Sequence, residues 1–103
     1  MIDLSIVILS FNTKELLREC LLSIKNQKPQ AISYEIIVVD NASSDGSTEM
    51  VEKEFPSETL IANRKNVGYS AGNNQGVKKT KGRYVLFLNA DTVVYRGTLE
   101  AMV

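Results

Sequence analysis

The 103-residue chain contains no histidine and only one cysteine, Cys20. The absence of histidine excludes imidazole metal ligands, Ser-His-Asp triads and imidazole general bases within this chain. A lone cysteine excludes an internal disulfide and is typical of a reducing compartment. Because Cys20 falls on the apolar stripe of a predicted helix, we interpret it as a small core residue and not as a nucleophile.

The sequence also lacks net charge and long apolar runs. Twelve basic and twelve acidic side chains give a formal net charge of zero, so neither nucleic acid nor an anionic membrane is expected as a partner. No run approaches the roughly 18 apolar residues of a transmembrane helix. The first residues, 1–4, lack the basic segment of a signal peptide. We therefore expect a cytoplasmic protein, with the inner membrane face as the alternative for a full-length protein.

Hydrophobic patterning predicts four strands that alternate with three helices. The predicted strands are 4–9, 34–39, 59–62 and 83–88. The predicted helices are 13–27, closed by Pro29, a short one that carries Met50, Val51 and Phe55 and stops at Pro56, and 70–81. Strands and helices in strict alternation indicate a parallel sheet with right-handed crossovers. The predicted fold class is α/β, a Rossmann-like parallel sheet with flanking helices.

Local patterns predict two of the helix ends. Asn12, followed three residues later by Glu15, has the spacing of a capping box at the start of the first helix. Gly82 is expected to be the C-cap of the third helix, although two internal glycines lower its helix propensity. The basic segment 78–83 is then a solvated helix end whose cations complement the helix dipole, with phosphate binding as the alternative.

The last residues, 98–103, predict the start of a further helix that is too short to be stable alone. We therefore expect residues 1–103 to be part of a longer protein, within a domain that is truncated at the carboxyl end of this chain. Apolar surface exposed near that end would favour a homodimer of the chain.

Two of the predicted strands, 34–39 and 83–88, are apolar runs that we expect to be buried, and both end in acidic and amide side chains. Val39 is followed by Asp40 and Asn41, and Leu88 is followed by 89–91, Asn-Ala-Asp. The carboxyl ends of parallel strands are where open α/β sheets bind their ligands. Because no lysine or arginine adjoins either carboxylate, the pattern favours a metal ion with a nucleotide or sugar nucleotide over a bare anion. Capping of the following loop is the alternative role for each aspartate.

Other ligand motifs fit poorly. Residues 41–46, with Glu52, match the spacing of an EF-hand calcium loop, but a strand and not a helix precedes them. The glycines at 68, 72 and 76 lack the spacing of the dinucleotide fingerprint, and the chain has no P-loop. We assign neither calcium nor a phosphate cradle to these segments.

Four motifs, in this order, resemble those of the family 2 glycosyltransferases. They are 5–12 (SIVILSFN), 38–47 (VVDNASSDGS), 66–76 (NVGYSAGNNQG) and 84–92 (YVLFLNADT). The resemblance covers essentially the whole chain. The third motif is most similar to the branch that includes many rhamnosyltransferases of cell-surface polysaccharide.

This resemblance implies the nucleotide-binding half of the A-type glycosyltransferase fold. It implies inverting transfer of a sugar from a UDP- or dTDP-sugar to a hydroxyl acceptor on a glycan or lipid-linked glycan. By matching position, the loop after the first strand would lie along the nucleotide and Asp40 would hydrogen-bond the base. The nucleotide-binding residues implied are Ser10, Phe11, Asn12, Asp40, Asn41, Asn66, Gly68, Asn73 and Asn89.

The family's Asp-x-Asp motif falls on residues 89–91, so the resemblance implies that Asp91 ligates Mg²⁺ or Mn²⁺. A divalent cation stabilises the charge that develops on a departing nucleoside diphosphate. Mg²⁺ takes only one or two protein carboxylates beside phosphates and waters, so a single aspartate suffices. Asn89 stands in place of the first aspartate of the motif and leaves the site with one charge fewer. No general base is assigned, since only Glu100 follows Asp91 as a further acid.

Two other functions use acidic strand ends. A nucleotidyltransferase would bring a basic, glycine-rich loop after the first strand, where this chain has 10–13, Ser-Phe-Asn-Thr. A flavodoxin-like receiver or regulatory nucleotide-binding module would need an acidic pair in that same loop. We expect this chain alone to bind nucleotide weakly and to catalyse little or no transfer.

Overall fold

The computed structural model describes residues 1–27, 32–95 and 98–102. Strands and helices alternate along the chain, as the patterning predicts. They are β1 (Leu4–Ser10), α1 (Lys14–Lys25), β2 (Tyr34–Asp40), α2 (Ser47–Glu54), β3 (Thr59–Ala62), α3 (Tyr69–Val77), β4 (Tyr84–Asn89) and α4 (Thr98–Met102). None of the described helices is long and apolar enough to cross a membrane.

The four strands form one parallel sheet in the order β3-β2-β1-β4. The predicted α/β fold with a parallel sheet is confirmed. The order is that of a Rossmann half and differs from the flavodoxin-like order, in which the third strand pairs with the first. The two strands that end in acidic motifs, β2 and β4, lie on either side of β1.

Alternate side chains of the strands point to opposite faces of the sheet and build two cores. Ile6, Ile8 and Val38 face α1 and α2 and belong to the larger core, which also contains the buried Cys20. Val7, Ile37 and Val39 form the smaller core, with Leu9 and Ile61 packed at its border. The helix α3 covers this second face over β1 and β2.

Two glycines allow α3 to lie close to the sheet. A Cβ atom at Gly72 would stand 2.6 Å from Leu9 Cδ1, and one at Gly76 would stand 2.5 Å from Val7 Cγ1. Residues four apart share one face of a helix. The two glycines lower the helix propensity of this segment, but their shared face lets the helix pack against the sheet. Packing therefore outweighs propensity here.

The end of α3 differs from the prediction. The helix ends at Val77 and not at residue 81, and the hydroxyl of Thr80 donates to the carbonyl of Val77 at 2.7 Å. The N–H of Gly82 donates to Ser5 Oγ at 2.8 Å, and a Cβ at Gly82 would meet Ser5 N at 2.6 Å. Gly82 is thus a close-approach glycine beneath β1 and not a helix C-cap, and segment 78–83 is the link to β4.

The predicted capping box at α1 is also wrong. The N-cap residue is Thr13, whose side chain makes no capping bond, and Asn12 has a left-handed φ of 50°. Glu15 pairs with Arg18 instead of reaching back. The first helical N–H, of Lys14, donates to Asp45 Oδ2 at 2.9 Å. A carboxylate from a distant loop therefore caps this helix.

The two acidic strands differ in burial. β2 is enclosed between β1 and β3, whereas β4 forms an edge of the sheet with Phe87 46% exposed. The expectation that both strands are buried is wrong for β4. The boundaries near Pro56 agree with prediction, since α2 ends at Glu54 with Phe55 buried behind it. Pro29 and Val103 lie outside the described residues.

Candidate functional site

Three adjacent parallel strands end together at one edge of the sheet. Ser10, the last residue of β1, is paired with Asp40, the last residue of β2, and Leu9 is paired with Asn89 at the end of β4. Neighbouring strands lie about 4.8 Å apart, so Asp40 and the end of β4 stand on either side of Ser10, about 10 Å apart. We call this the carboxyl edge, and it brings together three of the residues singled out from the sequence.

Asp40 is buried at this edge and holds the loop that follows it. Asp40 is only 1% exposed. Oδ2 accepts a hydrogen bond from the N–H of Ser43 at 2.8 Å, and Oδ1 accepts one from the Ser43 hydroxyl at 2.6 Å. The loop-capping role that the sequence left as an alternative is therefore present. Each carboxylate oxygen keeps a second lone pair, so recognition of a base by Asp40 stays a prediction.

The loops after β1 and β2 are locked to each other. The N–H of Asn12 donates to Ser43 Oγ at 2.8 Å, and Asn12 Oδ1 accepts from the N–H of Ser44 at 2.8 Å. The left-handed φ of Asn12 and that of Ala42 (66°) shape the two loops for this contact. Asn12 is thereby fixed at the carboxyl edge, although not as the helix cap that its spacing predicts.

The remaining residues of the first loop differ in exposure. Ser10 is buried, and its hydroxyl shares a hydrogen bond with Thr13 Oγ1 at 3.0 Å. Phe11 is 48% exposed at the edge. Of the two, Phe11 presents its side chain to solvent, whereas Ser10 supports the loop from beneath.

Asp45 links the starts of two helices. Its carboxylate accepts the N–H of Lys14 at the start of α1, together with the N–H and hydroxyl of Ser47 at the start of α2. Partial desolvation raises the pKa of Asp45, but the bonds from Ser47 and Lys14 outweigh it, so this pKa lies below its ordinary value. The sequence motifs did not identify Asp45 as the cap of these two helices.

A chain of side-chain amides joins β2 to the loop before α3. Asn41 is 3% exposed; its Nδ2 donates to the carbonyl of Gly68 at 3.1 Å. Asn41 Oδ1 accepts from Asn63 Nδ2 at 2.9 Å and from the N–H of Val67 at 3.4 Å. Asn63 and Gln75 then exchange two bonds, of 2.8 and 3.1 Å. Asn41 and Gly68, both singled out from the sequence, are in direct contact, whereas Asn63 and Gln75 were missed.

The loop at 66–68 leads into α3. Asn66 is exposed, and its Oδ1 accepts the N–H of Gly68 at 2.8 Å. Gly68 has φ 87°, in the region that favours glycine, and precedes the first helical residue. Asn73 lies on the second turn and lines an open cleft of about 280 Å³ with Tyr69 and Phe87. These residues border the carboxyl edge on the α3 side.

Asn89 and Asp91 lie in a turn at the end of β4, closed by a 3.0 Å bond from the N–H of Thr92 to the carbonyl of Asn89. Both side chains are exposed, and the Asp91 carboxylate makes no hydrogen bond within the described part of the chain. Beneath the turn lies Cys20, and burial together with the negative charge of Asp91 raises the pKa of that thiol to about 11. Cys20 is a neutral core residue, as its position in the apolar stripe indicates.

The donor set at this turn fits a divalent cation only in part. Residues 1–27, 32–95 and 98–102 contain no group of three or more acidic, cysteine or histidine side chains that could hold a metal ion. An exposed carboxylate at Asp91 with an amide oxygen at Asn89 suits Mg²⁺ or Mn²⁺ that brings phosphate oxygens and waters as its other ligands. The turn therefore fits a metal that arrives with a diphosphate and not a metal held by the protein alone.

Comparison with known proteins places these features in a family. The chain is 36% identical over 95 residues to the poly(ribitol-phosphate) beta-glucosyltransferase of Bacillus spizizenii, covering 88% of this chain and 15% of that protein. It superposes on the crystal structure of Staphylococcus aureus TarS 1-349 in complex with UDP-GlcNAc with a TM-score of 0.84 and 26% identity, over 98% of this chain and 30% of that one.

A mannosyltransferase of Pyrobaculum calidifontis, PcManGT in complex with GDP-Man and Mn²⁺, is similar with a TM-score of 0.78 and 26% identity. The match covers 86% of this chain and 27% of that one. The chain thus spans less than a third of each of these three relatives. The family model for Glycosyl transferase family 2 matches residues 5–103. The chain belongs to glycosyl transferase family 2, and its sheet is the amino-terminal part of the A-type glycosyltransferase fold.

Proposed function

We propose that residues 1–103 form the donor-binding part of an inverting glycosyltransferase, which transfers a sugar from a nucleoside diphosphate to a hydroxyl acceptor. The observation that carries this proposal is the carboxyl edge, where Ser10, Asp40 and Asn89 end three adjacent parallel strands. Open α/β sheets bind nucleotides at this edge. Family membership supports the assignment, as do similar structures solved in complex with UDP-GlcNAc and with GDP-Man.

In this proposal the loops divide the recognition of the nucleotide. Phe11 offers an exposed aromatic face to the base or ribose, and Asp40 accepts a hydrogen bond from the base through its remaining lone pairs. Asn66, Gly68 and Asn73 shape the α3 side of the pocket. Asn12 and Asn41 hold these loops in place through the contacts described above.

The turn at the end of β4 serves the diphosphate. Asp91 would hold Mg²⁺ or Mn²⁺ together with phosphate oxygens, and Asn89 would bond the ribose or complete the metal shell. The bound cation supplies charge neutralisation for the leaving diphosphate. Asp91 is suited to this role because its carboxylate is exposed and accepts no hydrogen bond from the residues that the structure describes.

The donor is a UDP- or dTDP-sugar, and the third motif suggests a rhamnosyltransferase-like enzyme. The acceptor is a hydroxyl of a glycan or lipid-linked glycan in cell-surface polysaccharide synthesis. The cytoplasm, at the inner membrane face for a full-length protein, is the proposed location. A homodimer of this chain remains a prediction.

The proposal is tested by thermal unfolding in the presence of UDP, dTDP or GDP, each with and without Mn²⁺. Ligand at about 100 times its dissociation constant adds about 2.7 kcal/mol to the free energy of unfolding. For a domain of this size, Tm would rise on the order of 10 °C. We expect a Mn²⁺-dependent rise with UDP or dTDP, and no rise with any nucleotide would contradict the proposal.

A pair of matched variants tests whether the Mn²⁺-dependent rise in Tm depends on Asp91. Asp91→Asn removes one carboxylate charge from the turn, and Glu52→Gln removes one from an exposed position on α2. The Mn²⁺-dependent part of the shift should vanish in Asp91→Asn and persist in Glu52→Gln. An equal shift in both variants would exclude Asp91 as the metal ligand.

A regulatory receiver-like module is not favoured. Its flavodoxin-like strand order, with the third strand beside the first, differs from the observed order β3-β2-β1-β4. The loop after β1 also offers no acidic pair.

A further inference from the structure

The side-chain amides of Asn41, Asn63 and Gln75 form a continuous hydrogen-bonded chain, which we call the relay. The relay begins at the end of β2, passes the residue that follows β3 and ends on α3. Its bonds join positions 22 and 12 residues apart in sequence. Such a network fixes the relative position of three elements because each amide can satisfy its partners in only one arrangement.

The relay bonds directly to the backbone that precedes α3. Asn41 holds the carbonyl of Gly68 from one side and the N–H of Val67 from the other. The same carbonyl also accepts the N–H of Gly72, so it is the first acceptor of the helix. The position of the helix start therefore depends on the orientation of the Asn41 amide.

Asn41 itself has little capacity left for a ligand. Both lone pairs of its Oδ1 are used, one hydrogen of its Nδ2 is donated to Gly68, and the residue is buried. A Cβ at Gly72 would come within 3.3 Å of this Nδ2, so the helix packs directly on the amide. These contacts make Asn41 a support for the pocket wall and not a part of its surface.

We propose that Asn41, Asn63 and Gln75 are positioning residues that set the geometry of the 66–68 loop and the start of α3 for donor binding. This inference rests on the proposed function, because the 66–68 loop matters for affinity only if nucleotide binds at the carboxyl edge. Asn41, which the sequence resemblance assigns to nucleotide contact, acts through Gly68 in this view. Asn63 and Gln75 act through Asn41.

The substitution Gln75→Glu turns the relay into a titratable one. A neutral glutamic acid reproduces both bonds to Asn63, since one oxygen accepts and the protonated oxygen donates. An ionised glutamate cannot donate, and it turns a lone pair toward Asn63 Oδ1. Partial burial raises the pKa of the introduced carboxyl group above the ordinary glutamate value. The relay should therefore be intact at about pH 4.5, below this pKa, and broken at about pH 8, above it.

Other titrating groups near α3 are shared by wild type and variant. Of the strands that α3 packs against, β1 has no ionisable side chain and β2 has Tyr34, Glu35 and Asp40. Tyr69 lies on α3 itself, and the cations at 64 and 65 follow β3. The ratio of variant to wild-type affinity at each pH removes their contribution.

The first measurement needs no nucleotide. In Gln75→Glu, the NMR resonances of the Asn41 side-chain amide and the Val67 backbone amide should show a pH-dependent movement, from the introduced carboxyl group, that is absent from wild type. Resonances that do not move in the folded variant would overturn the relay. Gln75→Met, which removes both bonds at every pH, should show displaced resonances with no pH-dependent movement beyond that of wild type.

The second measurement is the affinity for UDP with Mg²⁺ in the same proteins. We expect Gln75→Glu to match wild type within about twofold at the lower pH and to bind about tenfold more weakly at the higher pH. The matched control Asn26→Asp, an amide-to-acid change at the exposed C-cap of α1, should keep a constant ratio. If wild type binds UDP and the ratio of Gln75→Glu affinity to wild-type affinity is the same at both pH values, the positioning role is overturned. Absence of UDP binding to wild type would instead refute the proposed function, and the NMR result would then describe a relay that supports the fold only.

Discussion

Substitution of Gly76 by alanine tests the packing of α3 on the sheet. Helix propensity alone predicts a gain of about 1 kcal/mol, because alanine is the best helix former and glycine among the worst. The structure predicts the opposite sign. The new Cβ would stand 2.5 Å from Val7 Cγ1 and 3.3 Å from Val39 Cγ2, both in the smaller core. Since carbon atoms prefer about 3.5–4.0 Å, the helix must move by about 1 Å.

Overpacking of this kind costs about 1–3 kcal/mol. Subtracting the propensity gain leaves a net loss of about 0–2 kcal/mol, and the high end is favoured because Val7 and Val39 are β-branched and have few alternative rotamers. The measurement is thermal unfolding followed by circular dichroism, in which each kcal/mol lowers Tm by about 4–8 °C. Ala71→Gly, at an exposed position of the same helix, reports the propensity effect alone. A Tm for Gly76→Ala above that of wild type by the full propensity gain would refute the close-packing account.

Three further predictions concern residues around the carboxyl edge. Asp45 has a lowered pKa in the folded state, so its contribution to stability is present above its unfolded pKa and is lost as pH falls below about 4. Denaturant unfolding of Asp45→Asn should therefore show a smaller loss of stability than wild type between neutral and acid pH, and parallel pH profiles would contradict the double cap. Ser43→Ala removes the hydroxyl that bonds both Asp40 and the N–H of Asn12 and should cost about 1–3 kcal/mol in urea unfolding, whereas an unchanged midpoint would show that the loops are held otherwise. Cys20, fully buried with a pKa of about 11, should resist alkylation at about pH 8 until the protein unfolds, and rapid labelling of the folded protein would refute its core assignment.

The strands and their order of appearance follow from local pattern. The run Ile36 to Val39 is apolar on both faces because helices cover both sides of β2, and this pattern is visible without any knowledge of the fold. The hydrophobic pattern likewise located the core of α1, including Cys20. Burial of these side chains dominates stability, so the features that carry most of it are also those most easily predicted.

The helix ends were harder to predict because distant residues determine them. Asp45 caps α1 from a position 31 residues away, so the capping-box spacing at Asn12 and Glu15 was misleading. A glycine is required at position 82 because the backbone there lies against Ser5, 77 residues away in sequence, and not because a helix ends there. Local rules cannot distinguish a glycine needed for a turn from one needed for close approach.

The candidate site likewise contains features that follow from the sequence and features that require the assembled fold. The strand-end positions of Asp40 and Asn89 follow from sheet topology, and the loops followed from the resemblance of the motifs. The relay partners Asn63 and Gln75 carry no local pattern that separates them from solvated amides. Their role becomes visible only when β2, β3 and α3 are assembled.

Binding of a nucleoside diphosphate at the carboxyl edge can be observed by NMR of the ¹⁵N-labelled protein titrated with UDP and Mg²⁺. We expect shifts confined to backbone amides near the strand ends, at 10–12, 40–41, 66–68 and 89–91. Amides at the opposite edge, at 34–35 and 82–84, should stay constant. Shifts centred on that opposite edge, or none at saturating UDP, would contradict binding at the carboxyl edge.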